Sequence, residues 1–226
     1  MKNTPRCQLL SITTALVLAL SLLLAGLSVG QDTKKDDLPD GVVNTQNPKD
    51  ISLTPEESLE RIQVPAGFQV TLFAGEPDLR RPIAFDFDDR GRLWVVENYS
   101  HPVLDDNVTR DRILILEDSD QDGQFDKRTV FWDQGRYLTA IAVGHGGVWL
   151  GNTPDLTFIP NADQDEVPDG DAVTILDGFQ NEGNNNNNLN NFHWGPDGWL
   201  YGAIGINPRS LVGKPGAPDE QRTVIT

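Results

Sequence analysis

Acidic side chains alternate along Asp118-Ser-Asp120-Gln-Asp122-Gly123-Gln-Phe-Asp126, at positions 1, 3, 5 and 9 with glycine at 6. A hard divalent cation such as calcium takes about six to eight oxygen ligands, and alternate residues of a sharply curved loop deliver carboxylates to one point. An EF-hand has a bidentate glutamate at position 12 and helices on both sides. Here position 12 is Thr129 and both flanks alternate like strands, so the pattern predicts a shorter calcium-type loop on a β-hairpin. Asn161-Ala-Asp163-Gln-Asp165-Glu166-Val-Pro-Asp169 repeats the spacing further along, with Glu166 in place of the glycine. The competing reading of both loops is a solvated turn, because Asp and Gly suit turns on their own account. On the cation reading the ligands are Asp118, Asp120, Asp122, Asp126, Asp163, Asp165 and Asp169. The ion would then order its loop rather than take part in catalysis.

The elements that must position these loops read as strands. Thr54-Pro55-Glu56-Glu57 has the chemistry of a helix start, with Thr54 at the cap and Glu57 three residues on, and the helix runs through Leu59. Phe68–Phe73 alternates and is read as the first strand. Strands follow at Ile83–Phe87, Leu93–Glu97, Arg112–Glu117, Lys127–Trp132, Ala140–Gly144, Val148–Gly151, Leu156–Pro160 and Ala172–Leu176, then from Phe192, at Trp199–Ala203 and at Arg222–Ile225. Ser210–Ala217 reads as loop.

Three stretches share one plan: an apolar strand, a tight turn with glycine, and a second strand carrying tryptophan. Trp94, Trp149 and Trp199 fall 55 and 50 residues apart. That period suits four-stranded blades, so the fold class expected is all-β, a β-propeller with about three blades present. A β-sandwich is the alternative. Trp at equivalent positions points to packing between blades rather than to substrate stacking. Three blades do not close a ring, so the expectation is a truncated or split chain, or one completed by a partner.

The chain has 226 residues and a net charge of −16. Residues 1–30 read as a signal peptide or N-terminal anchor, with Lys2 and Arg6 ahead of an apolar run from Leu9 to Val29. Ser28 and Gly30 allow cleavage before Gln31, whereas retention of the run, about 20 residues long, would anchor the chain. Either outcome exports the rest, to the periplasm or to the outer face of the membrane. Residues 31–60 read as an acidic flexible linker, and 61–226 as the folded part. The single cysteine, Cys7, precedes the apolar run, so the exported part has no disulfide and no C-x-x-C-H site for covalent haem. Removing the leader leaves 16 basic against 34 acidic residues, a balance that repels nucleic acid. Asn98-Tyr-Ser100 and Asn107-Val-Thr109 match the short glycosylation acceptor pattern.

Gly67–Pro77, Ile83–Tyr99, Arg110–Phe131, Ile141–Gly151 and Trp194–Gly202 together resemble one family over roughly residues 60–207. It is the N-terminal propeller domain of the membrane-bound dehydrogenases of Planctomycetes and Verrucomicrobia, which is related to the glucose/sorbosone dehydrogenases. The resemblance implies a six-bladed propeller in full-length relatives, with pyrroloquinoline quinone as cofactor. It also implies oxidation of a sugar or alcohol, with electrons passed to a separate cytochrome. Relatives carry a histidine base ahead of a Leu-Asn-x-Phe segment; here that segment is Leu189–Phe192 and the matching positions are Asn186 or Asn187. Asparagine has no usable base, so activity is in question.

His193 and His101 are the remaining catalytic candidates, while His145 lies in a Gly-His-Gly-Gly turn. Arg81 and Arg136 are the candidates for neutralising a quinone's carboxylates, against a plainer role in surface pairing. The alternative function is a non-catalytic exported propeller, stabilised by calcium, that binds carbohydrate or protein.

Overall fold

The computed structural model describes residues 52–101, 111–179, 188–205 and 209–225. The expected leader, most of the 31–60 segment, the expected acceptor site at Asn107 and Asn186 and Asn187 lie outside the described residues.

Helix α1 spans Pro55–Arg61 and begins as its sequence dictates. Glu57 N–H donates to Thr54 Oγ1 at 3.1 Å, Thr54 N–H donates to Glu57 Oε2 at 2.9 Å, and Pro55 occupies the first turn, where no donor is needed.

Beyond it the chain is built of hairpins. Strands β1 (Pro82–Phe87), β2 (Leu93–Glu97), β3 (Asp111–Glu117) and β4 (Lys127–Gly135) form one antiparallel sheet in sequence order. Strands β5 (Leu138–Gly144), β6 (Gly147–Asn152), β7 (Asp155–Pro160) and β8 (Val173–Leu176) form a second. Two smaller sheets follow: β9 (Asn190–Trp194) with β10 (Leu200–Ala203), and β11 (Ser210–Val212) with β12 (Thr223–Ile225). Gly91 at φ 81° lets the β1–β2 turn reverse, a conformation that a β-carbon would strain.

The apolar runs of β2 and β3 explain the core, because successive side chains point to opposite faces. Trp94, Val96, Ile113 and Ile115 point to one face, where they meet Leu138, Ile141, Val148, Leu150 and Ile159 of the second sheet. The Trp94 ring meets Phe131 edge-on at 4.8 Å between centroids. Val95, Leu114 and Leu116 point the other way and are covered by Phe73, Ala74, Leu79 and Phe125. Both faces of β2 and β3 are thus buried, and their sequences read as nearly unbroken apolar runs. A third cluster, Phe179, Leu189 and Val212, joins the far side of the second sheet to the smaller sheets.

Several expectations need correction. Phe68–Phe73 is not a strand; the segment ends in side chains that pack across the outer face of the first sheet, so its alternation marks a cover rather than a paired edge. Ser210–Val212, read as loop, pairs with Thr223–Ile225. The tryptophan period does mark recurring hairpins, β1–β2, β5–β6 and β9–β10, but it does not mark equivalent packing. Trp94 is 1% exposed, whereas Trp199 is 72% exposed and precedes β10.

The larger correction concerns the β-propeller. The described residues form four separate antiparallel sheets, two of four strands and two of only two, with no closed radial array. A propeller is defined by that closure. The resemblance to the membrane-bound and glucose/sorbosone dehydrogenases rests on it and loses its support. With it go the pyrroloquinoline quinone chemistry on a sugar or alcohol, and the alternative of a calcium-stabilised propeller that binds carbohydrate or protein.

Candidate metal centre

The β3–β4 connection is closed by Asp126 N–H donating to Glu117 C=O at 2.9 Å, which brings the two strand ends together around eight intervening residues. Within it the backbone reverses at Gln121 (φ 63°) and Gly123 (φ 91°). Gly123 is favoured by its φ, which lies in the left-handed region, and a β-carbon there would press on Thr71 Oγ1 at 3.3 Å. Its N–H donates to Asp118 Oδ2 at 2.9 Å, and Asp122 N–H donates to Asp118 Oδ1 at 3.2 Å. Phe125 anchors the loop, its N–H donating to Phe73 C=O at 3.2 Å and its ring lying 6.4 Å from that of Phe73.

This curvature gathers Asp118, Asp120 and Asp126, with one carboxylate oxygen of each within 4.8 Å of the others. Among the described residues they are the one such group of three or more metal-ligating side chains, and the group can hold a metal ion. Ligands on opposite sides of a calcium ion lie about 5 Å apart, twice the calcium–oxygen distance, so the spacing fits an ion at their centre. The donors are all hard oxygens, which suits calcium or magnesium and not a soft metal. Hydrogen bonds from the Ser119 hydroxyl (2.8 Å) and N–H (2.9 Å) hold the Asp126 carboxyl below the usual aspartate range, so it is ready to ligate without losing a proton. Asp122 stands outside the trio, its Oδ1 accepting from Gln124 N–H at 2.8 Å.

The β7–β8 connection has the same frame. Asp169 N–H donates to Pro160 C=O at 2.9 Å, as Asp126 does to Glu117. The position 2 N–H donates to the position 9 carboxylate in both loops: Ser119 to Asp126 and Ala162 to Asp169. The position 5 N–H meets the position 3 carboxylate in both, at 3.3 Å (Asp122 to Asp120) and 3.2 Å (Asp165 to Asp163). Gln164, at position 4, adopts φ 59° like Gln121. Asp163, Asp165 and Asp169 do not converge as the first trio does.

Basic side chains brace this second loop from outside. Arg92 is 3% exposed and donates through Nη2 to Gln164 C=O at 2.8 Å, while Arg90 reaches Asp163 C=O at 3.4 Å. Glu166, which replaces the position 6 glycine, pairs with Lys127 at 2.5 Å and with Arg92 at 3.6 Å. Sequence reasoning passed over Asn161 as a functional residue. It is 4% exposed, and its Oδ1 accepts no hydrogen bond. A desolvated carbonyl oxygen left in this way costs about 1–3 kcal/mol. Position 1 of the aspartate spacing was the signal that could have singled it out.

The other candidates lie elsewhere. His101 is exposed and borders a shallow cavity with Arg81 and Asn98; its C=O accepts from Arg81 Nη1 at 3.3 Å, and its ring lies 6.4 Å from that of Tyr137. His193 is exposed on β9, opposite Tyr201. Arg136 is exposed between β4 and β5, where its N–H donates to Asn152 Oδ1 at 3.0 Å. His145 adopts φ 52° in the β5–β6 turn, its ring 4.1 Å from that of Trp194. Arg81 and His101 come together; His193 belongs to a different sheet. No curated protein and no solved structure matches the chain. The model of the family described as Domain of unknown function (DUF7133) matches residues 54–223, nearly all of the sheets and both acidic loops, and the chain belongs to that family.

Proposed function

We propose that the loop Asp118–Asp126 binds one calcium ion and that the chain is an exported β-sheet module ordered by it. The convergence of three carboxylates within 4.8 Å carries this reading. Calcium is favoured over magnesium because the loop is an exposed, irregular cage of side-chain oxygens, and magnesium demands near-ideal octahedral geometry. Lys2 and Arg6 ahead of the apolar run Leu9–Val29 support export, and extracellular calcium is abundant enough to fill sites with dissociation constants of about 0.1–1 mM. The acidic balance of the chain favours cations over polyanions such as nucleic acid.

The ion's work is mechanical. Three like charges held so close repel one another, and a divalent cation removes that repulsion. The loop also grips the covering segment through Phe125, whose N–H donates to Phe73 C=O and whose ring lies against that of Phe73. Fixing the loop therefore fixes the cover over Val95, Leu114 and Leu116.

Thermal unfolding with calcium and with a chelator tests this. Calcium at about one hundred times its dissociation constant should stabilise by about 2.7 kcal/mol, raising the midpoint by about 5–10 °C. The variant Asp118→Asn with Asp120→Asn should lose most of that rise. Equal midpoints in calcium and chelator would sink the proposal.

A further inference from the structure

We propose that the cavity between the β1–β2 turn, the β5–β6 turn and the end of β9 binds a small quaternary ammonium ion. The site is separate from the Asp118–Asp126 loop and does not rest on its calcium reading. The cavity holds about 360 Å3, room for a small organic ligand, and Phe87, Trp94, His145 and Trp194 give it an aromatic wall. Trp194 is fixed in that wall. Its Nε1 donates to Val143 C=O at 3.2 Å, the Trp149 ring meets it edge-on at 5.9 Å, and the His145 ring lies 4.1 Å away. Aromatic rings attract a cation to their faces through the π quadrupole. The chain already uses that contact here, with the Arg92 guanidinium carbon 5.8 Å from the Trp94 ring centroid.

The polar groups of the wall select a cation. Both of its indole donors are spent, Trp94 Nε1 on Asp88 at 2.9 Å and Trp194 Nε1 on Val143. Arg92 is spent as well: Nε donates to Asp88, Nη2 donates to Gln164 C=O, and Nη1 lies 3.6 Å from Glu166. Asp88 and Arg92 cancel each other, which leaves the exposed Asp89 carboxylate as the net charge of the lining, with no ion pair among the described residues. Asn161 lines the same cavity, with Nδ2 committed to Asp165 C=O and only an acceptor, Oδ1, left over. The chain's net charge of −16 adds to this local balance. A primary ammonium has three donors to satisfy before it can leave water, whereas the methyl groups of a quaternary ammonium have none and pack directly on aromatic rings.

Calorimetric titration of the full chain in chelator, at about pH 8 where free imidazole is neutral, tests this independently of calcium. The probes are choline and its uncharged isostere dimethylbutanol, in which carbon replaces the nitrogen. Choline should bind with a dissociation constant of about 1 mM, and the isostere about tenfold more weakly. Trp194→Leu should weaken choline by about tenfold. Asp89→Asn, at an exposed position, should weaken choline by about threefold and leave the isostere unmoved. Circular dichroism checks that both variants fold. Isostere binding as tight as that of choline would mean an apolar cavity with no preference for charge, and overturns the proposal. So does choline binding that is absent at about 10 mM, or that is unmoved in both variants.

Discussion

Asp88 and Arg92 show how a single pair can join two sheets. Asp88 Oδ2 accepts from Arg92 Nε at 2.7 Å and from Trp94 Nε1 at 2.9 Å, and its Oδ1 accepts from the Arg90 and Arg92 N–H groups. Arg92 then reaches across to Gln164 of the second acidic loop. Both side chains are at most 5% exposed. Replacing Asp88 by Asn leaves the buried guanidinium with only the more distant Glu166 as counter-charge and should cost about 3 kcal/mol, read as a lower urea midpoint. The pair also has a pH signature. Burial pushes the Asp88 carboxyl up, but the bonds from Trp94 and Arg92 outweigh it and hold the carboxyl below the usual range. Its stabilisation is therefore complete above the unfolded aspartate value and is lost as pH falls through the lower folded value. Asp111 runs the other way. Burial raises it despite bonds from the N–H groups of Leu138, Ser100 and Tyr99, so its contribution is greatest in acid and is lost as pH rises through the raised value. Unfolding measured over about pH 2 to 6 should show the acid-side loss reduced in Asp88→Asn, and the loss on raising pH reduced in Asp111→Asn. A parent-like pH profile in both variants would contradict these assignments.

At the scale of elements, the strands were legible because alternation and turn chemistry agree locally. Leu93–Glu97 is read to the residue, and the Thr54 cap starts α1 where its sequence places it. The failures occur where the outcome depends on a neighbour. Phe68–Phe73 has a strand's pattern, yet it lies over a face instead of beside an edge, and Ser210–Val212 becomes a strand only because Thr223–Ile225 returns to it. The acidic loops divide in the same way. The aspartate spacing could be read directly, whereas the orphaned Asn161 oxygen and the Arg92 brace depend on burial and on contacts more than 70 residues apart. Packing gives these elements very different weights. Trp94 lies in the central core, while Phe85 on the edge strand β1 is 66% exposed. Trp94→Ala should cost about 3–5 kcal/mol, and Phe85→Thr should stay within about 0.5 kcal/mol. Equal losses in denaturant melts would mean that β1 buries a face in solution that is open here.

The tryptophan period misled at the scale of the whole molecule because recurrence and closure are different properties. A period of about 50 residues needs only that hairpins recur, which local sequence controls. Closing a ring needs every sheet to be large enough to pack on both neighbours, and the last two sheets here have two strands each. Stability should be uneven for the same reason. β2 and β3 are buried on both faces, and β5 and β6 complete the central core, whereas β10 is largely exposed and β11 and β12 are three residues long. Amide exchange should therefore be slowest in β2, β3, β5 and β6 and faster by orders of magnitude in β10 to β12, whose opening exposes little apolar surface. Calcium provides the sharper contrast. If the ion fixes the β3–β4 loop, protection should rise at 118–126 and at Phe73, which that loop grips, and should not change in β11 and β12, which contribute nothing to it. Uniform protection along the whole chain would mean that calcium acts on global stability alone. Protection confined to 118–126 would mean that the covering segment is held by Phe73, Ala74 and Leu79 without help from the ion.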